Sequence, residues 1–173
     1  MFLSPTDVVT YLPVSRGMRV ADFGAGSGVC TDALLAKLER EGALYAFDIM
    51  PGHVEALHKK AVREHVANLF PLRADLNVRI PLKDALLNTS LVVNVLHAIK
   101  DRTRFLSELN RVSVRGASAL IVEWASSFKN TGPVEEAVID PGSAVRLFKA
   151  HGFRVGEMLP AGTHHYAFIA TKV

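Results

Sequence analysis

Four acidic or amide side chains and one glycine-rich segment could form a ligand site in this sequence. Gly24, Gly26 and Gly28 follow a short apolar segment that ends at Phe23, and they precede a helical pattern. Glycines at these positions allow a sharp turn and a close approach of ligand to backbone. The start of the following helix offers free N–H groups. A strand, a glycine-rich turn and a helix in succession are typical of a nucleotide-binding α/β fold.

The glycine spacing narrows the choice of ligand. The dinucleotide fingerprint is G-x-G-x-x-G, but here the third glycine comes one residue early and Val29 occupies its position. Asp22 stands two residues before the first glycine, and Ala25 lies between the first two. A pyrophosphate needs an unobstructed helix N-terminus, whereas a ligand without phosphates can be held by the loop backbone. The pattern therefore favours a nucleotide-like ligand without a pyrophosphate.

Polar residues also follow the next two predicted strands. Asp48 comes twenty residues after Gly28, and a carboxylate there can accept hydrogen bonds from both hydroxyls of a ribose. Ile49 would then lie beside the base. Asp75 could accept a hydrogen bond from an exocyclic amine, while Leu76 packs against the ring. A solvated turn acid is the alternative for each aspartate.

The fourth predicted strand ends in Asn94, and His97 follows it closely. Histidine has an unperturbed pKa of about 6.5, which suits a general base. His97 is therefore the candidate catalytic residue, with an exposed or structural histidine as the alternative. His164 and His165, in the closing turn or strand, are less favoured candidates.

Composition limits the class of protein. The 173 residues are 49% hydrophobic and 21% charged, which predicts one globular domain over residues 1–173. No apolar run is long enough to span a membrane. The single cysteine, Cys30, and the lack of a leader pattern predict a cytoplasmic protein without disulfides. One cysteine and scattered histidines argue against a metal site.

The elements that must position these residues alternate between strands and helices. Strands are predicted at 20–23, 43–47, 68–72, 90–95, 117–124, 154–159 and 166–171. The alternation predicts a Rossmann-like three-layer α/β sandwich with a mostly parallel seven-stranded sheet. The short link at 160–163 suits an antiparallel closing hairpin.

Helix signals lie before the first strand and between the later ones. Ser4, Pro5 and Asp7 resemble a capping box, and this first helix either packs across the ligand end as part of a lid or covers an edge of the sheet. A second helix is predicted over 31–41, and Asp140 with Pro141 begins the last one. The segment 125–141 is predicted to be a loop at the ligand end.

The motifs resemble those of the class I S-adenosylmethionine-dependent methyltransferases over nearly the whole chain. The matching segments are Val20–Gly28, Ala46–Ile49, Ala74–Asp75 and Val93–His97. The resemblance is closest to small bacterial and archaeal methyltransferase-domain proteins, similar to the menaquinone-biosynthesis type. It implies that S-adenosyl-L-methionine is the cofactor and S-adenosyl-L-homocysteine the product, with no metal.

The same resemblance implies a role for each motif. The three glycines would face the methionine portion of the cofactor, Asp48 the ribose and Asp75 the adenine amine. The sulfonium leaves as a neutral thioether, so the protein must hold nucleophile, methyl and sulfur in line, and such positioning can be worth about 7–11 kcal/mol. There is no Asn-Pro-Pro-Tyr motif after the fourth strand, which disfavours purine and glutamine amide acceptors.

NAD-linked hydride transfer is the weakest interpretation, given the early third glycine, and three stronger interpretations of function remain open from the sequence. The first is transfer of the methyl group to a small-molecule nucleophile by a monomer or homodimer. The second is a non-catalytic cofactor-binding partner or regulatory subunit, because the segment before the fourth strand is short. The third is RNA methylation, which rests only on the net charge of +3 and the sequence pI of about 9.2. The basic residues are spread along the chain, so nucleic acid is not indicated as a partner.

Overall fold

The computed structural model describes residues 5–128 and 132–173. The helices in these residues are α1 (Pro5–Thr10), α2 (Val29–Leu38), α3 (Pro51–Arg63), α4 (Arg102–Val112) and α5 (Pro141–Ala150). The strands are β1 (Arg19–Phe23), β2 (Ala43–Asp48), β3 (Leu69–Arg73), β4 (Leu87–Val93), β5 (Ser113–Trp124), β6 (Phe153–Leu159) and β7 (His165–Lys172). Short 3₁₀ turns lie at Leu96–Ala98 and Glu135–Ala137.

The seven strands form one sheet in the order β3-β2-β1-β4-β5-β7-β6. The first five strands of this order run parallel, and β7 is antiparallel to both β5 and β6. The predicted Rossmann-like fold with its antiparallel closing hairpin is therefore confirmed. The chain leaves β1 toward β3 and then returns to place β4 on the other side of β1. A crevice is expected at the carboxyl ends of β1 and β4, where the strand order reverses.

Helices cover both faces of the sheet, and each face has its own apolar core. Phe23 and Phe47 stack with ring centroids 5.2 Å apart on the face covered by α4 and α5. The ring of Phe105, from α4, is nearly perpendicular to that of Phe23, and the two ring centroids are 5.7 Å apart. Leu34 and Leu38 of α2 are fully buried on the opposite face. Because strands buried on both faces need apolar residues, the central segments Val20–Ala21, Ala46–Phe47 and Leu91–Val93 of β1, β2 and β4 are apolar.

Helix α1 packs beside α2, so it covers the sheet. Val8, Val9 and Leu12 are buried in the same core as Leu34 and Leu38. Lys37 of α2 donates to the backbone oxygen of Val9 at 2.8 Å. The described part of α1 therefore packs into the core on the α2 face of the sheet, and its role in a lid or at a sheet edge stays a prediction. The predicted cap, Ser4, lies outside the described residues.

Aspartate caps begin two of the later helices. Asp140 accepts from the Ser143 N–H at 2.9 Å and Pro141 occupies the first turn of α5, as the sequence predicts. Asp101 caps α4 in the same way, accepting from the Arg104 N–H at 2.9 Å. Both caps satisfy backbone donors that a helix start leaves unpaired.

The predicted boundaries of β4 and β5 are wrong. Strand β4 begins at Leu87, three residues before the predicted start, and it ends at Val93, before Asn94. Strand β5 begins at Ser113, directly after α4 and four residues before the predicted start at residue 117. The reason is a pairing of Leu87 with Ser113, followed by a register shift. Gly116 is the residue with a positive φ, +80°, within that irregular stretch.

Among the described residues, no helix has the length and apolar character needed to cross a bilayer. The same residues contain no cluster of three or more His, Cys, Asp or Glu side chains arranged to hold a metal ion.

Candidate functional site

A cavity of about 240 Å³ opens where the strand order reverses. Six residues named by the sequence line it, namely Gly24, Asp48, Ile49, Asp75, Leu76 and Asn94. The other lining residues are Ala74, Asn77, Val95, Ala98 and Ile99. The carboxyl ends of β1, β2, β3 and β4 therefore meet at one site, as expected for an open parallel sheet.

The glycine-rich loop packs so closely against its neighbours that there is no room for a side chain at Gly24 or at Gly28. The N–H groups of Gly24 and Ala25 both donate to the Phe47 carbonyl, at 2.8 and 2.9 Å. A Cβ at Gly24 would lie 2.5 Å from a methyl carbon of Val95, and one at Gly28 would lie 2.7 Å from Leu57. Both glycines also have positive φ angles, +76° and +87°, which L side chains rarely adopt.

Not every predicted residue of the loop reaches the cavity. Ala25 is buried in the core under α1 and α2, and Gly26 and Gly28 do not line the cavity. A Cβ at Gly26 would meet only the Gly24 carbonyl oxygen, at 3.9 Å, so the space beside Gly26 is open. Their assignment as cofactor-binding residues stays a prediction.

Asp48 joins the loop to the end of β2. Its Oδ2 accepts from the Gly26 N–H and its Oδ1 accepts from the Met50 N–H, both at 2.8 Å. The Nδ1 of His53 lies 3.3 Å from Oδ2. The carboxylate is nearly buried, with 9% of the residue exposed, and it lines the cavity. Because a carboxylate can accept about four hydrogen bonds, Oδ1 in particular keeps capacity for a ligand.

Asp22 lies behind the loop and does not line the cavity. It is 2% exposed, and the Thr31 hydroxyl of α2 donates to its Oδ2 at 2.7 Å. Burial raises the pKa of Asp22 to about 6, and the nearby charge of Asp48 adds to the rise, while the Thr31 hydrogen bond opposes it. Asp22 therefore links β1 to α2 under the loop. Direct contact with a cofactor stays a prediction.

The raised pKa of Asp22 predicts a change of stability with pH. The folded state binds this proton more tightly than the unfolded chain does, so the contribution of Asp22 to the free energy of unfolding falls as pH rises through about 4 to 6. Asp22→Asn removes that titration. The difference in unfolding free energy, variant minus parent, should rise by about 2 kcal/mol from about pH 4.5 to about pH 7.

Urea unfolding of both proteins at the two pH values measures this difference. Asp75→Asn is the matched control: side-chain and backbone hydrogen bonds from Asn77 lower the pKa of Asp75, so its titration lies below this pH interval and the corresponding difference should stay nearly flat. A difference for Asp22→Asn that stays flat across the interval would contradict the raised pKa.

The loop after β3 forms the opposite wall of the cavity. Asp75 Oδ1 accepts from both the backbone N–H and the side-chain amide of Asn77, at 2.9 Å each. Asn77 Oδ1 in turn accepts from the Lys100 N–H at 2.8 Å, which joins this loop to the one after β4. The sequence analysis missed Asn77. An Asp-x-Asn pattern typical of an Asx turn was the available signal.

Asn94 occupies the turn that leaves β4. Its φ is +54°, a conformation in which asparagine is enriched, and its N–H donates to the Val122 carbonyl at 2.8 Å. Its side-chain Oδ1 is buried and has no hydrogen-bond partner among the described residues. Since buried polar atoms are nearly always paired, an unpaired acceptor beside a cavity indicates a place for a ligand donor.

His97 lies next to the cavity but does not line it. It sits in the 3₁₀ turn after β4, and its neighbours Ala98 and Ile99 are lining residues. Its Nδ1 lies 2.9 Å from Oε1 of Glu123, the residue before the last of β5. Glu123 is fully buried, while 22% of the His97 side chain is exposed. The sequence analysis missed Glu123, because nothing in the pattern of β5 links it to a residue 26 positions earlier.

The two less favoured histidines do not line the cavity. His165 stacks against Trp124 with ring centroids 4.2 Å apart, and both of its ring nitrogens are buried without a partner among the described residues. Burial lowers the pKa of His165, which disfavours its protonated form. His164 lies against Phe128, with ring centroids 4.1 Å apart.

Comparisons with known proteins agree with this geometry. A family model described as "Methyltransferase domain" matches residues 21–121, more than half of the chain. A SAM-dependent methyltransferase from Aquifex aeolicus has a TM-score of 0.89 and 26% identity, over 99% of this chain and 91% of that one. A putative type 11 methyltransferase from Sulfolobus solfataricus has a TM-score of 0.76 over 100% of this chain and 95% of that one.

At 20% identity the Sulfolobus structure shows likeness of fold alone. A sequence comparison with curated proteins finds no match. The family match runs from β1 into β5 and includes the carboxyl ends of β1 to β4, which build the cavity. The chain therefore belongs to the Methyltransferase domain family and is a class I S-adenosylmethionine-dependent methyltransferase.

Proposed function

We propose that this methyltransferase transfers the methyl group to a small molecule, at a hydroxyl oxygen or an acidic carbon, with His97 as general base. One observation carries the proposal. The cavity at the reversal of strand order is lined by Asp48, Asp75 and Asn94, and His97 lies directly before the lining residue Ala98. A cavity suited to a cofactor and a candidate base are thus adjacent.

The residues around the cavity fit S-adenosylmethionine. Oδ1 of Asp48 accepts one backbone N–H and retains lone pairs for ribose hydroxyls. Asp75 uses Oδ1 for both Asn77 donors, which leaves Oδ2 for an adenine amine. The unpaired Oδ1 of Asn94 would accept from an N–H or O–H group of the ligand. The open space beside Gly26 would admit the amino-acid portion.

The cavity lining also supports a ligand without phosphates. It contains two carboxylates and no lysine or arginine among the described residues. Carboxylates repel a phosphate, whereas a sulfonium and an ammonium group carry positive charge. The negative charge of the cavity lining therefore favours S-adenosylmethionine over a dinucleotide, in agreement with the early third glycine.

When bound, S-adenosylmethionine supplies a methyl group on a positively charged sulfur that leaves as a neutral thioether. The contributions of this chain are orientation and proton transfer. Asp48 and Asp75 would fix the nucleoside at two points, which restricts its rotation in the cavity. His97 would accept the proton of the acceptor at Nε2, because its Nδ1 faces Glu123. A positioned general base contributes about 100- to 10,000-fold in rate.

Calorimetry with S-adenosylhomocysteine, followed by a turnover assay, tests the proposal. The assay measures S-adenosylhomocysteine formed from S-adenosylmethionine with a panel of small phenols, alcohols and 1,3-dicarbonyl compounds, and separately with total RNA. We expect binding at micromolar concentrations and turnover with at least one small acceptor. Absence of binding would overturn the cofactor assignment.

The other two interpretations of the sequence predict different results in the same assay. Binding without turnover on any acceptor would favour a non-catalytic partner or regulatory subunit. Turnover with RNA alone, weakening steeply as salt rises, would favour RNA methylation.

A further inference from the structure

Asn77 joins two walls of the cavity through a single side chain. Its Nδ2 donates to Oδ1 of Asp75 at 2.9 Å, within the loop after β3. Its Oδ1 accepts from the backbone N–H groups of Lys100 and Asp101, at 2.8 and 3.3 Å, where the chain enters α4. Asn77 lines the cavity and is half-buried. One amide therefore ties together two segments that are 23 residues apart in the chain.

The hydrogen-bond inventory of these groups fixes the orientation of the amide. The two backbone N–H groups must face the amide oxygen, because the amide nitrogen only donates. The ionised carboxylate of Asp75 only accepts, so it must face the amide nitrogen. A flipped amide would lose all three of these bonds and would set donors against donors. Position 77 therefore needs a short side chain with a donor on one side and an acceptor on the other.

The same amide holds the carboxylate of Asp75 in one orientation. Asp75 is exposed, and an exposed loop carboxylate without such bonds rotates freely. Its Oδ1 accepts from both the side chain and the backbone N–H of Asn77, at 2.9 Å each. Its Oδ2 forms no hydrogen bond among the described residues. The two bonds to Oδ1 thus leave Oδ2 as the oxygen available to a ligand in the cavity that Asp75 lines.

We propose that Asn77 is a positioning residue for nucleobase selectivity, which directs Oδ2 of Asp75 at the 6-amino group of adenine. The inference rests on the adenine contact of Asp75 in the proposed function. Ordering a side chain on binding costs free energy, and a carboxylate that is already held in place avoids this cost. The gain reaches only ligands that carry a donor at this position, so Asn77 acts on selectivity.

Asn77 also sets the separation of apolar residues that would contact the base. Leu76 precedes it in the loop after β3. Ala98 and Ile99 lie just before its backbone partner, Lys100. All three apolar residues line the cavity. The bond between Asn77 and Lys100 therefore holds these walls at a fixed distance, which contributes to the affinity for any flat base and does not depend on its amine.

Calorimetry with two ligands tests the selectivity. The ligands are S-adenosylhomocysteine and its analogue in which hydrogen replaces the 6-amino group. We expect the parent protein to bind the analogue at least about 10-fold more weakly, since a hydrogen bond to a charged group is worth a factor of this size. Asn77→Ala should lower this ratio of dissociation constants by at least about 3-fold. A smaller change in the ratio would overturn the proposal even if both affinities fell, because equal losses indicate a structural role.

Two further variants control the measurement. Asn88 also ties two segments together, since its Oδ1 accepts from the Arg19 N–H at 2.8 Å, but it does so at the opposite edge of the sheet. Asn88→Ala should leave both dissociation constants unchanged, and a loss of selectivity equal to that of Asn77→Ala would contradict the proposal. Asp75→Ala should bring the ratio close to 1. The thermal transition of each variant reports whether the fold is kept.

Carbon-13 NMR of the aspartate carboxyl groups tests the positioning in the ligand-free protein. Hydrogen bonds from the side chain and the backbone of Asn77 hold the pKa of Asp75 below its usual value. Asn77→Ala removes the side-chain bond, which is the larger contribution, so the pKa of Asp75 should rise. The Asp75 signal is assigned by its loss in Asp75→Asn. An unchanged pKa would overturn the proposal whatever the affinity of the variant.

The outcomes separate this inference from the proposed function. A parent protein that binds both ligands equally would show that Asp75 does not contact the amine, and the adenine contact would fail together with the inference. A parent ratio of about 10 or more that Asn77→Ala preserves would remove the role of Asn77 alone. Neither measurement uses a methyl acceptor, so neither depends on the acceptor's identity or on His97.

Discussion

Asp48→Ala is expected to weaken the binding of S-adenosylhomocysteine by at least about 100-fold. Asp48 would accept hydrogen bonds from the two ribose hydroxyls, and hydrogen bonds to a charged group are worth about 1.5–3 kcal/mol each. Two bonds at the lower end of that range correspond to a loss of about 150-fold in affinity. The variant also releases the N–H groups of Gly26 and Met50, which shape the loop beside the cavity. Calorimetric titration measures the dissociation constant.

Two further variants control this experiment. Glu55→Gln removes one acidic charge from the exposed surface of α3, where Glu55 pairs with Lys59, and it should leave the affinity unchanged. Asp48→Asn keeps one acceptor oxygen and should fall between the parent and Asp48→Ala. An affinity for Asp48→Ala within about 3-fold of the parent would show that this carboxylate does not bind the nucleoside. The thermal transition of each variant confirms that the loss is one of binding.

His97→Gln is expected to lower kcat by about 100- to 10,000-fold, which is the range for removal of a general base. The dissociation constant of S-adenosylhomocysteine should stay within about 2-fold, because His97 does not line the cavity and glutamine fills a similar space. Steady-state kinetics with saturating cofactor and calorimetry with the product measure the two quantities. A general base is indicated only if kcat falls while the dissociation constant of S-adenosylhomocysteine stays the same.

His58→Gln is the matched control for that variant. His58 is an exposed histidine of α3, and its replacement should alter neither kcat nor cofactor affinity. A kcat for His97→Gln close to that of the parent would exclude His97 as the base. A parallel loss of cofactor affinity would instead point to collapse of the 3₁₀ turn that carries Ala98 into the cavity wall.

Local patterns in the sequence determined the class of fold and most of the cofactor side of the site. Gly24 and Gly28 could be identified because their neighbours in sequence set a turn that only glycine fits, and the structure adds the contacts with Val95 and Leu57. Asp48 could be identified because strand ends of a parallel sheet share one edge. The antiparallel hairpin followed from a link too short for a crossover.

Only the tertiary structure decided which side chains meet across the sheet. Asn77 bonds to the backbone at Lys100, and Glu123 bonds to His97, so each pair joins segments more than twenty residues apart. The early start of β5 at Ser113 depends on Leu87 in another strand. Burial of Asp22 depends on the helix that packs over it.

The physical reason lies in the range of the interactions. Turn geometry, caps and apolar periodicity act between residues that are close along the chain, so they can be read from the sequence alone. The partner of a buried carboxylate is set by strand order and register, which are fixed only when the whole core packs. The sequence of this protein therefore determined its candidate cofactor loop and its candidate ribose carboxylate, and the folded sheet decided that His97 faces Glu123.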